Sequence, residues 1–370
     1  RILGPDRPDT FTSRSTLASA YQAAGKLDQA IPLFEQNLED RSRTLGPAHP
    51  VTLTSRNNLA GAYREAGRLN EAIRLFEQNL EDSTRVLGPR DPRTLASRDH
   101  LAGAYREAGR LDEAIRLFEQ NLADFAHLAG PDHLDTLTSR GNLANAYQAA
   151  GRLDQAIALF ERNLTDFTRV LGPAHPETLA WRDKLAGAYQ AAGRLNEAIS
   201  LFERNLTDFI RVLGSHHPET LASRGNLAGA YQAAGRLDRA IPLLQQNLED
   251  RTRVLGPDHR DTLASRGNLA GAYQAAGRLD QAIPLLQQTL DDSARILGAH
   301  HPRTLTSRNN LAGAYQAAGR LHEAIPLFEQ ALTDHTYILG PHHPDTLNTR
   351  NNLAGAYQAA GRLSEAIPLY

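Results

Sequence analysis

Fourteen histidines are the first residues in this chain whose type suggests chemistry, and six of them form the adjacent pairs His216–His217, His300–His301 and His342–His343. A metal site needs ligands that converge, typically at i and i+4 on one helix face or from Cys and His together. Adjacent histidines beside Gly and Pro do neither, and the chain has no cysteine. They read as helix-start and surface residues, so no metal and no cofactor is expected. His322-Glu323 does not extend to a metalloprotease signature, because Pro326 stands where the second His belongs. There is no glycine loop leading to a Lys, no Gly-x-Ser-x-Gly elbow and no Cys nucleophile. An acid–base pair inside a repeat would also recur with it, unlike a unique active site. The sequence does not read as an enzyme.

What recurs with chemical regularity is a set of columns. An arginine returns every 42 residues, from Arg14 through Arg56 and Arg182 to Arg350. It lies three residues before a recurring Leu and seven before a recurring Tyr, hence near their helix face. Stacked helices sit about 8–10 Å apart, so such a column repels itself unless carboxylates answer it. A structural network with acids of the following helix is expected, in preference to a site for an acidic ligand. A glycine recurs at Gly61, Gly103, Gly187, Gly229, Gly271, Gly313 and Gly355, with small Ser19 and Asn145 as replacements. Inside a helix each glycine costs about 1 kcal/mol relative to Ala. Either close helix packing or a groove open to a ligand's backbone needs the missing side chain.

These columns require elements that keep register. The run Asn310-Leu-Ala-Gly-Ala-Tyr-Gln-Ala-Ala-Gly-Arg-Leu321 returns in steps of 42 at Asn226, Asn268 and Asn352, and at Asn142 with Asn145 in place of Gly. The preceding Leu-Gly keeps the same step from Leu3 to Leu339, with Ala129 the only substitute for Leu. A fixed period of this size marks a solenoid, since one unit cannot bury its apolar face without a copy of itself. The expected fold is all-α, an α-solenoid superhelix of antiparallel helix pairs. It reads as one repeat domain over 1–370, eight full 42-residue repeats from Leu3 and a truncated ninth.

In the second repeat, Gly46-Pro47 stops one helix and His49-Pro50 starts the next. Helix A is expected over Pro50–Ala66, with Leu53, Leu59, Ala60 and Tyr63 at helical spacing. Gly67 closes it, and Asn70 is the expected N-cap of helix B. Helix B is expected to run to about Val86, burying Ala72, Ile73, Leu75, Phe76, Leu80 and Val86 and turning Glu77, Glu81 and Asp82 to water. Asn79 and its equivalents at Asn37, Asn121, Asn163, Asn205 and Asn247 are expected to be buried with the amide bonded.

Leu59, Ala60, Ala62, Tyr63, Gly67, Glu71, Ala72, Ile73 and Phe76 fall at the signature spacings of the tetratricopeptide repeat, which the chain resembles over essentially its whole length. The period is 42 instead of 34, and Asn79 stands where that family prefers a small Ala. With its Leu-Gly-x-x-His-Pro-x-Thr-Leu…Asn-Asn-Leu-Ala run, the unit is similar to the kinesin light chain class and its bacterial relatives. The resemblance implies a concave helix-A face that cradles an extended peptide or a partner helix. Carried over by position, that face shows Thr54, Asn57, Gly61, Arg64 and Glu65 in repeat 2. Repeat 8 shows Thr306, Asn309, Gly313 and Gln316, and repeat 9 shows Asn348, Asn351, Gly355 and Gln358. Its asparagines resemble those with which light-chain repeats bind a peptide backbone. Asp99-His100, Asn145, Trp181 and Asp183-Lys184 make the middle the most individual surface and the expected place of a partner.

Forty basic and 42 acidic residues nearly cancel, so no nucleic acid partner is expected. No apolar run approaches the roughly 20 residues of a membrane span, and no membrane association is expected. A cytoplasmic location follows as the default. Only Lys26 and Lys184 are lysine, a bias expected of a high-GC bacterial genome. The chain reads as a piece of a longer protein, with weak head-to-tail self-association expected through its ends, where Arg1–Gly4 forms a helix tail. Two functions follow: a scaffold binding a peptide or protein on helix A, or a structural spacer or self-assembling rod without a ligand.

Overall fold

The computed structural model describes residues 8–370, so the expected Arg1–Gly4 tail lies outside the described residues. The chain divides into two compact units between Ala192 and Gly193. The first contains α1 (Pro8–Ala23), α2 (Leu27–Leu45), α3 (Pro50–Glu65), α4 (Leu69–Leu87), α5 (Pro92–Glu107), α6 (Leu111–Ala129), α7 (Leu134–Ala149), α8 (Leu153–Leu171) and α9 (Pro176–Ala191). The second contains α10 (Leu195–Leu213), α11 (Pro218–Ala233), α12 (Leu237–Leu255), α13 (Arg260–Ala275), α14 (Leu279–Leu297), α15 (Pro302–Ala317), α16 (Leu321–Leu339), α17 (Pro344–Ala359) and α18 (Leu363–Ala366), followed by a 3-10 turn at Ile367–Leu369. Within each unit every helix packs on the next, and the described residues contain no strand. Odd-numbered helices are the A helices, and even-numbered ones the B helices. Among the described residues no helix is long and apolar enough to cross a membrane.

Local chemistry sets these boundaries. His49 has an extended backbone, and its Nδ1 accepts the Val51 amide hydrogen at 3.3 Å, satisfying one of the donors that a helix start leaves free. His175, His217, His259, His301 and His343 do the same, so these histidines are helix caps. At the other end of α3, Gly67 has φ of +74° and the Arg68 amide donates to the Tyr63 carbonyl at 2.8 Å. That six-to-one bond is a Schellman closure. The chain re-enters a helix at once, so the N-cap of α4 is Arg68, and Asn70 lies inside the helix instead of capping it.

The seam is made of small and large residues in alternation. Ala60, Ala62 and Ala72 are fully buried and let the backbones approach, while Leu59, Ile73 and Phe76 fill the space between them. Val86 is 46% exposed, contrary to expectation. Ten residues beyond Phe76, it stands about 80° round the helix and outside the buried stripe. Ser83, two turns beyond Phe76, continues that stripe. Between repeats the Tyr63 hydroxyl donates to Glu35 at 2.5 Å and that of Tyr105 to Glu77 at 2.6 Å. Burial and that carboxylate push the Tyr105 hydroxyl up to about 12.

Candidate protein-binding face

The arginine column is structural. Arg56 Nη1 reaches Asp82 at 2.8 Å, Arg140 reaches Asp166 at 2.6 Å and Arg224 reaches Asp250 at 2.6 Å, each joining helix A to helix B of one repeat. The same guanidinium of Arg56 donates to the Pro47 carbonyl at 3.0 Å and so fastens the loop between repeats. Asp82 is therefore a clamp residue and not a solvated one. Burial raises its carboxyl, but hydrogen bonds from Arg85 and Arg56 outweigh this and hold it below the usual range. Asp166 is lowered in the same way, with Arg140 the main opponent of burial.

The glycine column has no packing reason. A Cβ added at Gly61, Gly187, Gly229, Gly271 or Gly313 meets nothing within 4 Å. At Gly103 the nearest atom is the end of Arg64 at 3.6 Å, and at Gly355 that of Gln316 at 3.7 Å. Both are flexible tips. Of the two sequence-level readings, close helix packing is the one the structure removes.

The remaining predicted positions lie along successive A helices and do not gather into one site. In the first unit Thr54 is exposed and donates to its own helix at Pro50, while the Asn57 side-chain Oδ1 accepts from Asn79 at 2.9 Å. Asp99 accepts from Asn142 at 3.0 Å, and burial pushes its carboxyl up against that bond and the charges of His100, Arg106 and Arg64. Asn145 lines a wide depression of about 670 Å³ with Arg106 and Gln148. Lys184 lies 4.0 Å over the Trp181 ring, and burial followed by the charge of Arg106 pushes its ammonium down. Asp183 is half-buried on the same helix. In the second unit Asn309 accepts from Asn352 at 3.5 Å, Asn351 is exposed, and Gln358 accepts from the Tyr370 hydroxyl at 3.1 Å.

The buried helix-B asparagines divide. Asn79 donates to Asn57 at 2.9 Å and Ser97 at 3.1 Å, and Asn121 to the Leu95 carbonyl at 3.0 Å. Asn163 is fully buried, yet neither its Nδ2 nor its Oδ1 has a partner. The positions equivalent to Asn57 and Ser97 are there Gly141 and Trp181, which offer no side-chain acceptor.

One column escaped sequence reasoning. It is held by Arg41, Ser83, Phe125, Phe167, Phe209, Arg251, Ser293 and His335, and it faces the residue 14 positions later on the next helix A. Arg41 reaches Ser55 at 2.7 Å, Ser83 lies 3.4 Å from Ser97, Phe167 stacks on Trp181 at 5.6 Å, and His335 meets Thr349 at 3.0 Å. Where the column is Ser, the seam opens. A cavity of about 230 Å³ lies between α3 and α5 beside Ser83, and one of about 200 Å³ between α13 and α15 beside Ser293. The available signal was the size variation in a buried stripe of otherwise near-identical repeats.

With this geometry in place, the chain's relatives define its class. The tetratricopeptide repeat pattern matches in overlapping spans, 9–82, 57–126, 93–162, 135–204, 180–246, 223–292, 267–336 and 303–370, and the chain belongs to that family. Such repeats generally mediate protein–protein interaction, and the scaffold is generally non-enzymatic. Among solved structures, the kinesin-light-chain-like, nearly identical TPR-like repeats of Podosopora anserina are 36% identical, with a TM-score of 0.50 over 55% of this chain and 96% of theirs. BtubC (BKLC) from P. vanneervenii is 22% identical, with a TM-score of 0.53 over 63% of this chain and 94% of its own. The apo form of the quorum sensor NprR from B. thuringiensis is 12% identical, with a TM-score of 0.59 over 98% of this chain and 97% of its own. The last two share the fold alone. No match is found among curated proteins.

Proposed function

We propose that this chain is a protein-interaction module that receives an extended peptide segment along the exposed face of its A helices. The observation that supports this reading is the open glycine column, in which Gly229, Gly271 and Gly313 have nothing within 4 Å of an added Cβ. Each glycine weakens its helix by about 1 kcal/mol relative to Ala and gives nothing to packing in return. Missing side chains on an exposed helix face let a second backbone come close. The amides of Asn309, Gln316, Asn351 and Gln358 on that face supply donors and acceptors suited to peptide groups.

Peptides selected from a displayed random library against the whole chain, with affinities measured by fluorescence anisotropy, test the reading. Replacing Gly229, Gly271 and Gly313 together by Ala is expected to raise the denaturation midpoint and weaken peptide binding at least tenfold. Equal affinity for the stabilised variant, or no enriched peptide, overturns it.

A further inference from the structure

The cavity between α13 and α15 has a counterpart that the chain itself has filled. Between α7 and α9 the Trp181 indole stacks on Phe167 at 5.6 Å with 22° between the planes, and its centre lies 6.3 Å from that of Phe160. Its Cη2 sits 1.7 Å from where a Cβ on residue 141 belongs, so only Gly141 admits the ring. Three 42-residue steps later, Gly141, Phe160, Phe167 and Trp181 become Gly267, Leu286, Ser293 and Ser307, and all four line the cavity of about 200 Å³. Two aromatic side chains have been replaced by serines, while the glycine that admits a ring is retained. Exposed Arg303, Thr306 and Asn310 rim the opening.

We propose that this cavity binds a planar aromatic group of indole size carrying an N–H or O–H donor on its edge. An apolar cavity of about 150 Å³ is enough for benzene, so the space here suits a bicyclic ring. The polar edge answers Ser293, which is 3% exposed overall and lines the cavity. A hydroxyl oxygen lining the cavity is an acceptor that a ring N–H or O–H can meet.

The α3–α5 cavity is the built-in control. Asn57 stands there in place of the glycine, Asn79 is bonded across to it, and Ser83 already donates to the Asn79 carbonyl. No ring is expected to enter. The required chemistry is offered by a free bicyclic aromatic or by a Trp side chain on a peptide lying along the A helices, and only the second source rests on the function proposed above.

Titration of the whole chain with 5-fluoroindole, read by fluorine NMR, tests the cavity without any peptide. Saturable broadening or shift is expected, with a dissociation constant on the order of 1 mM or below. Ser307→Trp supplies its own ring, as Trp181 does, and is expected to weaken binding at least tenfold. Gly267→Ala gives a second variant that keeps the fold, because its Cβ meets nothing within 4 Å, and is expected to block the ring equally. Competition by N-acetyltryptophanamide supports a peptide side chain as the source; binding of 5-fluoroindole alone supports a free ligand. Absence of saturation, or equal binding by both variants, overturns the proposal even if peptides bind the glycine column. Failure of the peptide selection leaves the cavity result standing.

Discussion

Between α7 and α9 two aromatic rings close the seam; between α13 and α15 two serines leave it open. The two steps share the same frame. Both keep the arginine clamp, Arg140 to Asp166 and Arg266 to Asp292, each at 2.6 Å. Both keep the loop contact as well, with Thr178 donating to the Gly172 carbonyl and Thr304 to that of Gly298, each at 2.8 Å. A repeat therefore holds its shape through the clamp, the loop contact and the small alanines, and the seam residue varies around that frame. The columns that never change describe the fold; the column that changes size decides where the protein has room for something else.

The largest effect that tests this contrast is loss of the ring. Trp181→Ala empties a fully formed seam above Gly141 and is expected to cost about 3–5 kcal/mol in denaturant unfolding. Ser307→Ala, at the equivalent open position, is expected to change stability by less than about 0.5 kcal/mol. Trp181→Ala should also create a second binding site for 5-fluoroindole. Equal costs for the two variants would mean that Trp181 does not fill a seam that Ser307 leaves open.

Next is the clamp that both steps share. Arg140 is 4% exposed and Asp166 18%, so Arg140→Ala leaves a largely buried carboxylate with only Arg169 nearby and is expected to cost about 3 kcal/mol at neutral pH. The sign with pH follows from the lowered Asp166 carboxyl. The unfolded state takes up the proton first, so the stabilisation is complete above the unfolded value of about 3.9. It is lost as pH falls through the folded value, and the gap between wild type and Arg140→Ala should close on acidification. A gap that stays constant from pH 7 to pH 2 would remove the clamp from the account.

The sequence carried the fold because every unit states it again. Glycine stops, His-Pro starts and the Tyr and Phe spacings recur without an insertion, and the arginine network was legible from its distance to Leu and Tyr. Asn70 misled because the Schellman turn at Gly67 leaves no loop for a cap, and Val86 because the stripe follows 3.6 residues per turn and not the list of apolar residues. The glycine column was undecidable in one dimension, since the matter rests on what a Cβ would touch. The open seam was hidden for a similar reason: Ser293 and Ser307 are unremarkable until the structure sets one against the other, three repeats away from a Trp and a Phe in the same places.

The smallest expected difference concerns the asparagine beneath the seam. Asn79 has two side-chain partners, Asn57 and Ser97, and Asn79→Ala removes both bonds; Ser97 keeps its donation to the Arg93 carbonyl at 2.9 Å, while Asn57 Oδ1 loses its donor. A cost of about 1–2 kcal/mol is expected. Asn163 is equally buried with no partner at either end of its amide, because Trp181 and Gly141 have taken the places of Ser and Asn. Its desolvation is already uncompensated in the native state, so Asn163→Ala removes a penalty as well as some contact. The net change is expected to lie within about 0.5 kcal/mol of zero, on the stabilising side. Thr289 and Ala331 show that the column accepts a smaller residue. Denaturant unfolding of the two single variants decides it. If Asn163→Ala costs as much as Asn79→Ala, the amide beneath Trp181 is bonded after all, and the filled and open seams do not differ in their polar floor.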